Sequence, residues 1–168
     1  MTFKEARPWG EAIKQQVLQR RMPPWNAVKG FGEFRDDHGL TQEDLEIVGE
    51  WVEGGMPEGN PHYLPAPPKF TAEGASVVIS HNRLTIEGTK VLKRATQLVG
   101  IEPVNIPASG VLQVIAQRPD GAVEPLIWIE KFSPEYNQTY YFRNTLRLPA
   151  GTQIEITPRA GSAILLLK

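Results

Sequence analysis

Pro57-Glu58-Gly59-Asn60-Pro61-His62-Tyr63-Leu64-Pro65-Ala66-Pro67-Pro68 divides this chain into two parts of different periodicity. Five prolines beside Gly59 sustain neither a helix nor a sheet ladder, so the stretch reads as a semi-rigid extended connector. Before it, apolar residues recur at helical spacing; after it, short β-branched and aromatic runs alternate with polar residues. That change of period predicts an α+β chain in two segments: a small two-helix segment over 1–56, a proline-rich linker over 57–70, and an antiparallel β-sandwich or jelly roll over 71–168. His62 and Tyr63 read as surface or clasp residues of the linker.

In the third segment strands are expected near 76–80, 83–88, 91–101, 110–118, 123–132, 139–147, 153–158 and 162–167. Asn82, Pro119-Asp120-Gly121, Pro149-Ala150-Gly151 and Ala160-Gly161 supply the turns. Leu126-Ile127-Trp128-Ile129 and Ile164-Leu165-Leu166-Leu167 are continuous apolar runs, the pattern of central strands covered on both faces.

The first segment begins with Thr2 and Glu5 at capping-box spacing, and a main helix is expected from about Pro8 to Arg21. Its apolar face is Trp9, Ala12, Ile13 and Val17. Arg20 and Arg21 fall in the last turn, where cations offset the helix dipole; this reading is preferred to a phosphate site. Thr41 caps a second helix that ends at Gly54-Gly55 and carries Leu45, Val48, Trp51 and Val52 on its apolar stripe. Gly49 inside it costs about 1 kcal/mol relative to alanine unless something approaches closely. Between the helices lie a Gly-rich loop with Phe31 and Phe34 and a turn at Asp36-Asp37-His38-Gly39, whose adjacent side chains diverge and do not make a metal cluster.

Composition narrows the function. With 168 residues and 40% apolar content the chain can bury a real core. A formal net charge of -1, from 18 Lys+Arg and 19 Asp+Glu, argues against a nucleic-acid partner. No apolar run approaches the roughly 20 residues of a membrane span. The chain as given has no basic n-region followed by an apolar h-region, so its compartment is open; membership of a longer parent protein would imply a periplasmic or exported location. The absence of cysteine excludes disulfides, thiolate metal sites, Cys nucleophiles and C-x-x-C-H haem attachment. No Ser-His-Asp ordering, phosphate loop or paired-carboxylate motif stands out, which leans against an enzyme.

Arg20-Arg21-Met22-Pro23-Pro24-Trp25 is the one stretch with ligand chemistry. Two prolines in series bias the backbone to an extended, pre-organised form, which suits Met22 as an axial thioether on haem iron. The competing reading is a methionine packed beside Trp25. Together with Ala6-Arg7-Pro8-Trp9, Leu40-Thr41 and Trp51-Val52-Glu53-Gly54-Gly55-Met56-Pro57, this stretch resembles the C-terminal part of a bacterial c-type cytochrome domain. The resemblance covers about residues 1–62 and implies Met22 as cofactor-binding residue. The family's C-x-x-C-H helix is missing, so haem c is expected only if an upstream segment supplies it, and none is expected for the chain as written.

The second half also resembles a known family. Leu98-Val99-Gly100-Ile101-Glu102-Pro103, Ala116-Gln117-Arg118-Pro119-Asp120-Gly121, Leu126-Ile127-Trp128, Tyr140 and Leu148-Pro149-Ala150-Gly151-Thr152 look like the C-terminal sandwich of copper type II, ascorbate-dependent monooxygenases. The resemblance implies a His-x-His copper pair after Pro103, but this chain has Val104-Asn105-Ile106 there. Neither Val nor Ile ligates a metal, and His81 alone makes no copper site. The expectation is therefore a non-catalytic binding or assembly module derived from a cytochrome c and copper monooxygenase fusion. The alternative is haem-dependent electron transfer by a fragment of a longer protein. Trp9, Trp25, Phe31 and Trp51 are too aromatic for so short a segment to cover by itself, so a cover is expected from the sandwich, from a second copy of the chain or from a protein partner.

Overall fold

The computed structural model describes residues 2–64, 66, 82–159 and 161–168. The strand expected near 76–80, His81 and the segment boundary near residue 71 lie outside the described residues. Among the described residues the alternating pattern becomes eight strands: β1 (Asn82–Glu87), β2 (Thr89–Val91), β3 (Thr96–Val104), β4 (Leu112–Gln117), β5 (Val123–Ile129), β6 (Tyr140–Leu148), β7 (Gln153–Thr157) and β8 (Ser162–Leu167). They form two four-stranded antiparallel sheets, ordered β1-β8-β3-β6 and β2-β7-β4-β5. First pairs with last, second with seventh, third with sixth and fourth with fifth, as in one long hairpin folded at the β4–β5 turn. Rolling that hairpin up adds the β3–β8 and β4–β7 pairs. The result is a β-sandwich of jelly-roll order.

The hairpin tip is the expected turn, where Gly121 has a φ of 87° and donates its N–H to the Arg118 carbonyl at 2.9 Å. On β4, Leu112, Val114 and Ala116 point inward while Gln113, Ile115 and Gln117 point away, and Ile154 and Ile156 of β7 continue the same inner layer. The expected single strand over 91–101 is in fact two. The chain leaves one sheet after Val91, turns through Lys93-Arg94-Ala95, and enters the other sheet at Thr96. A jelly roll requires that crossing, and a hydropathy pattern does not record which sheet a residue joins.

Ile164–Leu167 lies on β8, a central strand as expected, but Leu126–Ile129 does not: β5 is the edge of its sheet. Its continuous burial has two other causes. Leu126 is the extra residue of a β-bulge, since Val114 pairs with Ile127 while Ile115 pairs with Pro125. Trp128 is then covered from outside by Phe31, whose ring meets it edge-on at 4.6 Å. Pro125 is tolerated on β5 because an edge strand needs fewer ladder donors.

The first segment holds α1 (Phe3–Ala6), a 3-10 turn (Arg7–Trp9), α2 (Gly10–Leu18) and α3 (Gln42–Glu53). Thr2 and Glu5 make the expected capping box on α1. The main helix begins later than expected because Pro8 is taken into the 3-10 turn, and this rotates the buried stripe. Gly10, Ile13, Lys14 and Val17 face inward, with Gly10 and Val17 buried, whereas Trp9 is 63% exposed. Helix α2 packs against α3, whose buried residues are Leu45, Gly49 and Val52; Gly10 approaches the Met56 side chain, and Lys14 Nζ reaches Glu53 Oε1 at 2.6 Å to tie the two helices. No described helix is long and apolar enough to cross a membrane.

The loop between α2 and α3 is built into the sandwich. Ala27 bridges to Ile129 of β5 and Phe34 bridges to Phe142 of β6, the edge strands of the two sheets. The Val28 N–H donates to the Trp128 carbonyl at 2.7 Å, the Arg35 N–H to Tyr141 at 2.9 Å, and the Arg143 N–H to Glu33 at 2.7 Å. Residues 27–35 therefore run as a strap from one edge to the other and occupy edge groups that would otherwise be open to another chain. Gly32 makes the passage feasible: a Cβ there would lie 2.4 Å from the Leu126 carbonyl oxygen.

Candidate functional site

Met22 stands at the point where α2 meets the strap, and its side chain is 49% exposed. Helix α2 closes in a full Schellman motif, with the Arg20 N–H on the Val17 carbonyl and the Arg21 N–H on the Gln16 carbonyl, both at 2.9 Å. The next amide, that of Met22, donates to Gln16 at 3.2 Å, so the helix end fixes the backbone of the methionine. Pro23 and Pro24 then carry the chain to Trp25.

Trp25 is turned into the sandwich. Its ring meets Tyr140 edge-on at 4.9 Å and Phe34 at 6.1 Å, while His38 stands against its other side at 5.6 Å. Phe34 continues the stack to Phe142 at 5.4 Å. Asn26, buried at 7% exposure, locks this junction: its side-chain amide donates to the Ser133 carbonyl at 3.0 Å and accepts from the Ser133 N–H at 2.9 Å. Of the aromatics expected to need a cover, Trp25 and Phe31 are covered by the β-sandwich, as is Phe34 beside them. Trp51 is half-buried and donates its indole N–H to the Pro57 carbonyl at 3.0 Å; Trp9 remains exposed.

Two polar atoms in the stack, Trp25 Nε1 and the Tyr140 hydroxyl, are buried without a hydrogen-bond partner among the described residues. Burial pushes the Tyr140 phenol up; Asn26, Gln138 and Ala27 nearby oppose this without reaching hydrogen-bonding geometry. The cavity between Met22, Trp25, Asn26, Leu40, Leu45 and Glu130 is about 30 Å³, room for one water molecule and far too small for a macrocycle. Met22 therefore offers haem one thioether on the surface, with no enclosed space beside it.

The residues at the positions where the resemblance implies copper ligands have other work. Val104 pairs with Ser162 where β3 ends and β8 begins, Asn105 turns the chain at a φ of 55° and donates from Nδ2 to Ser162 Oγ at 2.9 Å, and Ile106 packs against the sandwich core. These donors do not fit copper. Among the described residues no three His, Cys, Asp or Glu side chains converge as a metal site. In the Asp36-Asp37-His38-Gly39 turn, Asp37 Oδ1 accepts from the Gly39 N–H at 2.8 Å while His38 lies on Trp25, the divergence expected of a turn.

Comparison with protein-family models, with curated proteins and with solved structures returns no match. Met22 is the thioether the sequence singles out, and Arg20-Arg21 is the basic pair beside it. Sequence reasoning missed that Ser109 and Lys131 come from two distant loops to the side of that basic pair, and no local pattern marks them.

Proposed function

We propose that this chain is a non-catalytic binding or assembly module derived from a fusion of a c-type cytochrome domain and a copper monooxygenase-like sandwich. The observation that carries the reading is the strap: residues 27–35 bridge both sandwich edges, and Trp25 and Phe34 fill the junction beside them. In this arrangement the cytochrome-like loop serves as a lid on the β-domain. The Val104-Asn105-Ile106 stretch supports the same reading, since those side chains close a strand end and pack the core.

A second reading, haem-dependent electron transfer as a part of a longer c-type cytochrome, is favoured by the exposure and fixed backbone of Met22. One experiment separates the two. A ligand that binds the folded state alone raises the melting temperature by mass action. Thermal melts of the purified chain with haem and with Cu(II), alongside the Soret spectrum, are expected to show neither stabilisation nor a low-spin haem band. A low-spin band that disappears in Met22→Ala would establish the second reading instead, and stoichiometric copper retained after dialysis would remove the non-catalytic one.

A further inference from the structure

Beside the Met22 loop an open groove of about 610 Å³ runs between the end of α2 and two loops of the sandwich. Arg20 and Arg21 line it from the helix, Ser109 from the β3–β4 loop, and Lys131, Glu135 and Tyr136 from the β5–β6 loop. None of the three cations takes part in a salt bridge among the described residues. With Glu135 as the only carboxylate in the lining, the groove carries an excess of two positive charges in a chain whose net charge is -1.

The backbone concentrates strain at the same place. Five non-glycine residues have positive φ among those described, and three of them, Arg20 at 56°, Ser109 at 60° and Lys131 at 55°, line this groove. Two Schellman motifs among the described residues make the point directly. Helix α3 ends with Gly55 in the left-handed position, at a φ of 83°, the usual solution; α2 places Arg20 there. Left-handed backbone is unfavourable for a residue with a side chain, and such outliers gather where a site needs a side chain in one direction. Here they bring two cations and a hydroxyl into one groove.

We propose that this groove binds a phosphate monoester of a small polar molecule. The excess of two formal charges matches a dianion, so Arg20 and Arg21, which the sequence assigns to the α2 dipole alone, would here serve an anion as well. Guanidinium forks suit phosphate oxygens, with the Ser109 hydroxyl as a further donor. The volume lies within the range of small-molecule sites and leaves room for an organic portion. The assignment rests on the binding-module reading and gives it a ligand class.

Calorimetric titration at low ionic strength with glycerol 1-phosphate, inorganic phosphate and succinate tests it. Saturable binding is expected in the order glycerol 1-phosphate, phosphate, succinate, weakened about tenfold or more in Arg20→Gly and in Lys131→Gly, as for loss of a charge-assisted contact. Neither variant should melt below the parent, because glycine accepts the left-handed backbone. Arg94→Gln, on an exposed turn elsewhere, is expected to bind as the parent does. Absence of saturation, equal affinity in Arg20→Gly, or equal weakening in Arg94→Gln would overturn the proposal, and succinate binding as tightly as glycerol 1-phosphate would overturn the phosphate assignment. These failures leave the binding-module reading standing, whereas a Met22-dependent haem spectrum overturns that reading whatever the titration gives.

Discussion

Gly49 is a buried residue in the middle of α3, and apart from its chain neighbours and its own helix backbone nothing lies within 4 Å of the place its Cβ would occupy. Glycine in a helix interior costs about 1 kcal/mol relative to alanine, mostly through the freedom it retains when unfolded. Gly49→Ala is therefore expected to stabilise the protein by up to about 1 kcal/mol, read as a higher urea midpoint at unchanged m-value. A lower midpoint would mean that the helix pair closes more tightly at Gly49 than the structure has it. The penalty at Gly49 is legible in the sequence, but the space beside it is not. Arg20 is the converse case: the sequence announces a cation in the last turn, and only the backbone shows that it sits where α3 has Gly55.

The caps are the elements best read from sequence, because their hydrogen bonds are local. Thr41 Oγ1 accepts from the Asp44 N–H at 3.1 Å, and Asp44 Oδ2 accepts from the Thr41 N–H at 2.8 Å. The Thr41 side-chain hydrogen bond, then its backbone one, holds the Asp44 carboxyl below the usual carboxylate range. The folded pKa lies below the unfolded one, so this stabilisation is complete above the unfolded value and is lost as pH falls through the folded one. Thr41→Ala should cost about 1 kcal/mol at neutral pH. Its deficit should shrink in acid, and a parent-minus-variant difference that stays flat below the carboxylate range would show that the box is not closed in solution. The strands were less legible than the caps. Short runs around the Pro119-Asp120-Gly121 and Pro149-Ala150-Gly151 turns match β4 to β7 closely, yet the β2–β3 crossing and the edge position of β5 depend on pairing partners far away in the chain. Leu126–Ile129 mimics a central strand because a bulge and Phe31 bury it, two facts that periodicity cannot carry.

At the scale of the molecule the strap decides whether helices and sandwich unfold together. Nothing in Ala27 or Phe34 marks them as sheet partners, since each makes an isolated bridge inside a Gly-rich loop with no alternating pattern. Phe34 is nevertheless 2% exposed and belongs to the same core as Tyr140, Phe142 and Ile129. Truncating a buried phenylalanine to alanine costs about 3–5 kcal/mol, a large share of the roughly 5–15 kcal/mol that stabilises a typical domain. Phe34→Ala should therefore lower the urea midpoint of the β-sandwich itself, with one cooperative transition by helical and sheet signals alike. Trp9→Ala, at an exposed position, should change stability by no more than about 0.5 kcal/mol. Hydrogen exchange gives the residue-level readout: the Val28, Arg35 and Arg143 amides, which hold the strap to β5 and β6, should lose protection in Phe34→Ala. The edge groups released would favour association, so the variant should also aggregate sooner on heating. If Phe34→Ala instead loosened only α1 to α3 and left the sheet transition where it was, the strap would be an ornament on an independent sandwich, and the reading of the 27–35 loop as its lid would fall.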